Sequence, residues 1–359
     1  MTTKMVVDYG RSSTKAVSET GKEIIYPSWY ATSVVDPNDS FNIGLSDRDI
    51  KDYLKVNING QEFNVGKLAK NSAYCFDGSS NTDILPDDFD TEELTKAEVN
   101  ILTAIALLSN EDSEAIDLMT TLPGNQFNDT CKKIFKDRLE NINFKIKIYD
   151  YNADEYKAKN IYINSLDVRK QGLCAFMHHL LTKSGHINKN RNQLINETLL
   201  IFDVGRYSTD ILAVDNMEEI NLDSDDVRVK GMEYAFEKIR KDVFAKYKVN
   251  IKRNEAEKYV KQGYVSIRGN QEDITDIINP AYAEFCKQIS NNAKDRLPIE
   301  IERIDTILIA GGGANAITEQ LKSELKRDIT IINEPRMANA LGGIKIMKLN
   351  ENTQEDSQE

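Results

Sequence analysis

Cysteine is scarce: Cys75, Cys131, Cys174 and Cys286 are the only four in 359 residues, widely spaced and without a C-x-x-C pair. That spacing excludes a disulfide framework and a thiolate metal site, and it predicts a cytoplasmic protein in a reducing compartment. Histidine is scarcer still, with three residues. His178 and His179 are adjacent and so point to different helix faces, and no carboxylate or cysteine joins them or His186 at ligand spacing. No apolar run approaches membrane-spanning length, and Asp8 and Arg11 fall where a signal peptide needs its apolar core, so the chain is expected neither to be exported nor to enter a membrane. Basic clusters are missing too. With a net charge of -12, direct nucleic-acid binding is excluded, and any DNA contact would run through another protein. Two phosphate signatures are also absent, the G-x-x-x-x-G-K-[ST] loop and the G-x-G-x-x-G fingerprint.

What is present is a repetition. "DYGRSSTK", Asp8 to Lys15, and "DVGRYSTD", Asp203 to Asp210, agree at five of eight positions, and each follows an apolar strand and opens a returning one. The length favours two domains.

Short Val- and Ile-rich runs predict strands at 4–9, 13–19 and 22–26, with Gly21 turning the last pair. "YPSWYATS" leaves that sheet through a proline, 61–66 is a further strand, and a helix is expected to start at 67–73. Thr91 to Ser109 reads as a capped helix. Strands follow in "IDLMTTLPGNQFND", "FKIKIYDYN" and "AKNIYINSLDV", then a helix over 170–185 stopped by Gly185. The polar connector 186–197 is where composition places a change of domain. Beyond the second hairpin, helices are expected at 231–248, 254–263 and 276–294, and a buried strand at 304–310 runs into "AGGGANAI". The polar, acidic end, 351–359, is expected to be disordered. It lacks the apolar face and basic flanks of an amphipathic membrane anchor.

The doubled turn has an evident use. Glycine at its third position, followed by small hydroxyl residues, lets backbone N–H groups converge on an anion, so phosphate is the natural ligand. An Asp at the end of each preceding strand can hold Mg²⁺ through water. Lys15 returns along the second strand to offer a point charge to outer phosphates. If the two domains face each other, the turns can grip a polyphosphate from both sides. The glycines of "AGGGANAI" would let a flat base or ribose approach the backbone.

These features resemble the actin, Hsp70 and sugar-kinase superfamily, and within it the ParM-type bacterial actin-like proteins. Asp8 to Lys15 is similar to its first phosphate motif, Asp203 to Asp210 to the second, and Gly311 to Asn315 to the adenosine motif. "YPSWYA", "FNVGKLAKNSA", "MTTLPGNQFND" and "EPRMANALGG" resemble further landmarks. The sequence departs from the pattern at Arg11, at Arg206 and Tyr207, and at Thr121, which stands where the family carries glycine.

The resemblance implies an α/β fold, actin-like (ribonuclease H-like) and two-lobed, with a nucleotide cleft between the lobes. Residues 1–170 plus 335–350 would form one domain, 171–334 the other, and 351–359 the tail. It implies Gln171 and Asp203 as catalytic, with Gln171 orienting the attacking water, and Asp8 and Asp203 toward Mg²⁺. Phosphates would meet Gly10, Arg11, Ser12, Ser13 and Lys15 from one turn and Gly205, Arg206, Tyr207 and Ser208 from the other. Gly312, Gly313 and Asn315 would line the adenosine pocket with Arg336 near the base, and Glu257 and Lys261 toward ribose and base.

The function implied is an ATPase, with GTP left open, that polymerises with Mg²⁺ into polar filaments. Those filaments would segregate plasmid DNA through an adaptor protein bound to the plasmid centromere. The alternative is a small-molecule kinase of the same superfamily, with Asp203 as base. A membrane-bound cell-shape actin is disfavoured by the missing anchor.

Overall fold

The computed structural model describes residues 2–32, 51, 53–69, 93–222, 229–253 and 255–356. They form two compact units, one of Met1–Asn188 with Met337–Glu359 and one of Lys189–Arg336. The division falls inside the 186–197 connector rather than at residue 171.

In the first unit the strands are β1 (Thr3–Tyr9), β2 (Ser13–Ser18), β3 (Glu23–Pro27), β4 (Tyr30–Ala31), β5 (Leu54–Ile58), β6 (Gln61–Val65), β7 (Ser113–Leu122), β8 (Ile142–Asp150) and β9 (Glu155–Lys170). Among the described residues they hydrogen-bond in the order β3-β2-β1-β7-β9-β8-β5-β6-β4. β1 runs antiparallel to β2 and parallel to β7, and its second half is buried on both faces, as its unbroken Met-Val-Val run requires. Helix α1 (Lys96–Leu108) lies within the expected 91–109 segment. It opens on a capping box in which the Thr95 hydroxyl accepts from Glu98 N and the Glu98 carboxylate accepts from Thr95 N. Glu98 also pairs with Arg138 of α2 (Asp129–Leu139) at 2.6 Å. After β9 comes α3 (Leu173–Leu180). The helix start expected at 67–73 falls largely outside the described residues.

The second unit holds β10 (Thr198–Val204), β11 (Thr209–Asp215), β12 (Glu218–Ile220), the hairpin β13 (Tyr264–Ile267) and β14 (Asn270–Asp273), β15 (Thr306–Ala310) and β16 (Thr330–Ile331). Its helices are α4 (Glu233–Tyr247), α5 (Ala256–Gln262), α6 (Thr275–Arg296) and α7 (Ala314–Leu325). The sheet order is β12-β11-β10-β15-β16. It reproduces β3-β2-β1-β7-β9 strand for strand, with the same parallel and antiparallel senses. The repeated octapeptide therefore sits in a repeated five-strand frame.

The chain returns to the first unit as α8 (Ala338–Asp356). This helix crosses α3 at backbone contact distance: a Cβ on Gly342 would lie 1.7 Å from Cys174 O. The ammonium of the buried Lys345 donates to His178 O and Leu181 O, both at 2.7 Å. It thereby satisfies carbonyls at the C-terminal end of α3. These contacts keep α3 in the first unit, which is why a boundary at 171 fails.

Two further expectations are corrected. α3 ends at Leu180 instead of running to Gly185, because Leu181 turns extended and bridges Ile187. Gly185 belongs to the following turn, with φ +83° and α8 backbone so near that a Cβ would meet Leu349 N at 2.6 Å. Of the segment 351–359 expected to be disordered, residues 351–356 are helical, and 357–359 lie outside the described residues. Glu351 pairs with Lys4, and the Asn352 amide donates to Ser184 O at 3.1 Å, so the polar residues fasten the helix.

Gly342→Ala should cost about 3 kcal/mol, since backbone and not a flexible side chain must give way. Chemical denaturation followed by circular dichroism checks it. An unchanged midpoint would mean that α3 and α8 do not cross at this contact.

Candidate functional site

In the first unit the site grows from β1. Asp8, near its end, is 1% exposed. A carboxylate so deeply buried must be paired and hydrogen-bonded. Lys15, its register partner on β2, places Nζ 2.9 Å from Asp8 Oδ2. Asp8 Oδ1 accepts from Thr121 Oγ1 at 2.7 Å and from Gln171 Nε2 at 2.8 Å. Thr121 arrives on β7 and Gln171 just past β9, where its own N–H donates to Leu122 O at 2.7 Å. Three strands thus deliver their donors to one carboxylate.

The structure brings together the sequence-predicted Asp8, Lys15 and Gln171, and it adds Thr121. Glycine at position 121 would supply no donor, so the departure has a physical role. An ammonium has three protons, and one from Lys15 goes to Asp8.

The turn beyond Asp8 closes through Gly10 N donating to Ser13 O at 3.2 Å. A Cβ on Gly10 would stand 2.9 Å from both Ser13 O and Lys15 Nζ, so the glycine is required by space. Arg11 and Ser12 form the tip, and Ser13 is buried at the head of β2. Behind the turn, Ser28 Oγ donates to Gly10 O at 2.6 Å and Ser28 N to Ser12 O at 3.2 Å. Thr14 Oγ1 stands 2.8 Å from Ser28 Oγ and 3.4 Å from Asn100 Oδ1. Tyr26 OH donates to Asn100 O at 2.5 Å. Burial drives the Tyr26 phenol far above its ordinary pKa, which keeps it a donor.

The second unit repeats the turn with other supports. Gly205 N donates to Ser208 O at 2.9 Å. Met232 N donates to Gly205 O at 3.1 Å and Glu233 N to Arg206 O at 2.7 Å, so the start of α4 closes over the turn. Gly231 makes that approach feasible: a Cβ there would lie 2.6 Å from Gly205 O and Ser208 N. The sequence reading placed Gly231 inside a helix; α4 instead begins at Glu233.

The Arg206 side chain reaches Glu233 at 3.0 Å, Arg253 O at 3.2 Å and Glu257 at 3.5 Å, and its guanidinium lies 5.7 Å from the Tyr207 ring. Lys261 takes the other oxygen of Glu257 at 2.7 Å. Burial alone would raise the Glu257 carboxyl, but the Lys261 hydrogen bond and the charges of Lys261, Arg206 and Arg336 hold it below the usual carboxylate range. Within this unit the predicted Arg206, Glu257, Lys261 and Arg336 therefore form one neighbourhood.

Asp203 is buried near the end of β10, register partner to Asp210. Gly311, with φ +87°, follows β15 so closely that a Cβ would meet Val204 O at 2.4 Å and Asp203 Oδ1 at 2.6 Å. Gly312 borders only Arg336, whose Cγ stands 4.0 Å from its would-be Cβ, and Gly313 packs on Met232 and Val204. Asn315 is exposed in the first turn of α7. Gly311 opens the segment that resembles the adenosine motif, whereas no local signal in the sequence marks Gly231, whose neighbour is the Gly205 turn. Among the described residues, no three His, Cys, Asp or Glu side chains converge as metal ligands.

Comparison with known proteins follows this geometry. Residues 7–173 match the family "Actin like proteins N terminal domain", and 201–323 match "Archaeal actin homologue MreB-like, C-terminal". An archaeal actin homolog of Thermoplasma volcanium is 25% identical over 346 residues, spanning 94% of this chain and 96% of the relative. A 15-stranded ParM filament from Clostridium botulinum superposes with TM-score 0.74 at 22% identity, covering 98% of this chain and 99% of that one. An archaeal actin homolog in complex with ADP gives TM-score 0.70 at 19% identity, over 98% and 99%. The duplicated frame, with its two aspartate-glycine turns, has the actin-like fold, and this chain is similar to ParM and the archaeal actin homologues over almost its whole length.

Proposed function

We propose that the chain is an actin-like ATPase that polymerises with ATP and Mg²⁺ into polar filaments and moves plasmid DNA through a DNA-binding adaptor. The observation that carries the reading is the convergence of Lys15, Thr121 and Gln171 on the buried Asp8 beside a glycine-closed turn. Nucleotide hydrolysis depends on positioning and charge stabilisation rather than on covalent chemistry, and such a cluster supplies both. With its NH₂ end fixed on Asp8, Gln171 keeps its oxygen end to accept a proton of the attacking water. Lys15 retains protons for a phosphate oxygen. In each unit the turn amides are the groups offered to phosphate oxygens, and in the second unit Gly312, Gly313, Asn315, Arg336, Glu257 and Lys261 would form the nucleoside side. GTP is the competing nucleotide.

The residues suit a divalent ion that keeps most of its water. Asp203 and Asp210 share one register of β10 and β11, and carboxylate oxygens are the ligands a hard divalent ion takes. Asp8, with three donors on its oxygens, would meet the ion through water. Bound with the nucleotide, Mg²⁺ neutralises charge on the phosphate oxygens.

Assembly is proposed by analogy with the ParM filament. Polar filaments require head-to-tail contacts that do not close into a ring. The net charge of -12 is the reason for routing DNA contact through an adaptor.

Gln171→Ala and Asp203→Ala should each lower phosphate release by about a hundredfold or more while leaving the fold intact. Phosphate release with circular dichroism checks both, and wild-type turnover in either variant contradicts the assigned roles. Light scattering should rise when ATP and Mg²⁺ are added without any other substrate. A flat trace across a wide range of protein concentration would favour the small-molecule kinase instead.

A further inference from the structure

Ser28 leaves β3 completely buried, and both of its polar groups engage one neighbour, the Gly10–Ser13 turn. Its hydroxyl donates to Gly10 O at 2.6 Å and its amide to Ser12 O at 3.2 Å. A hydroxyl carries a single proton. With that proton committed to Gly10, the 2.8 Å contact to Thr14 Oγ1 takes the Thr14 proton, in preference to Asn100 Oδ1 at 3.4 Å, so the two hydroxyls form a directed pair ending on the turn carbonyl.

The trans peptide plane gives this capture its consequence. A carbonyl and the following N–H point in opposite directions. Drawing back Gly10 O turns the N–H of Arg11 away from Ser28, and drawing back Ser12 O does the same for Ser13. An anion-binding turn needs its amides presented together and its carbonyls withdrawn. The amide bond to Ser12 continues the β2–β3 ladder one residue beyond the Ser13–Pro27 register, whereas the hydroxyl bond to Gly10 O lies outside that ladder and is specific to the turn.

We infer that Ser28 is a positioning residue for phosphate recognition. It acts through Gly10 and Ser12, holding the Arg11 and Ser13 amides toward a phosphate that it never touches. The inference rests on the nucleotide reading above and adds to it the residue that sets the first turn.

Isothermal titration of ATP, inorganic tripolyphosphate and adenosine into wild type and Ser28→Ala, all with Mg²⁺, tests it. Loss of the hydroxyl should weaken ATP and tripolyphosphate alike, by about tenfold, and leave adenosine affinity and the circular dichroism spectrum unchanged. Wild-type affinity of the variant for tripolyphosphate overturns the inference, as does an equal loss for adenosine, which marks general damage. Should Ser28→Ala not fold, Ser28→Cys carries the test through its weaker donor: about a threefold loss for tripolyphosphate supports the role and no loss overturns it. A wild-type protein that binds no ATP defeats the nucleotide reading and this inference with it, whereas a wild type that binds beside an unaltered variant defeats this inference alone.

Discussion

A planar peptide cannot turn its carbonyl one way without turning the next amide the other, and both glycine turns of this protein are governed by that constraint. In the first, Ser28 withdraws the carbonyls of Gly10 and Ser12. In the second, the amides of Met232 and Glu233 withdraw those of Gly205 and Arg206. The donors differ in kind, one a strand-exit residue and the other the entry to a helix. The glycine carbonyl is withdrawn in both turns, while the second carbonyl differs by one residue, and each solution dictates its surroundings: a buried Ser28–Thr14 hydroxyl pair in one unit, and in the other a glycine at 231 thin enough for the helix entry to close.

The same constraint accounts for the residues that depart from the family pattern. Once α4 holds the second turn by backbone, the side chain of residue 206 has no part in shaping it. Arg206 is then available to bind Glu233 and Glu257 and to tie the turn to α5. An arginine suits three simultaneous partners because its donors are fixed in a planar fork. Thr121 likewise turns a position that carries glycine elsewhere into a donor for Asp8.

The repeated strand-turn-strand unit was legible because an unbroken apolar run and the D-x-G turn after it are local signals. Glycines such as Gly10 and Gly205 announced themselves the same way. Gln171 was legible only through family resemblance: its partner Asp8 is 163 positions distant, and no local pattern reports such a bond. The roles of Ser28, Thr121 and Gly231 were not legible for the same reason, since what makes each necessary comes from another element. The limits of α3 and the fate of residues 351–356 were misread because both depend on α8, through Gly342, Lys345 and the Lys4–Glu351 pair. A polar sequence says that a segment tolerates water, not that it lacks a partner.

Duplication preserved the frame and inverted the charge. Asp8 faces Lys15 across its hairpin; at the same register Asp203 faces Asp210. The first arrangement stabilises itself, since a buried carboxylate opposite an ammonium gains from the pairing. The second sets two acids at one register, with the backbone of Gly311 pressed to within contact of Asp203. Two copies of one hairpin thus differ in charge at one register, an acid paired with a base in the first unit and two acids in the second.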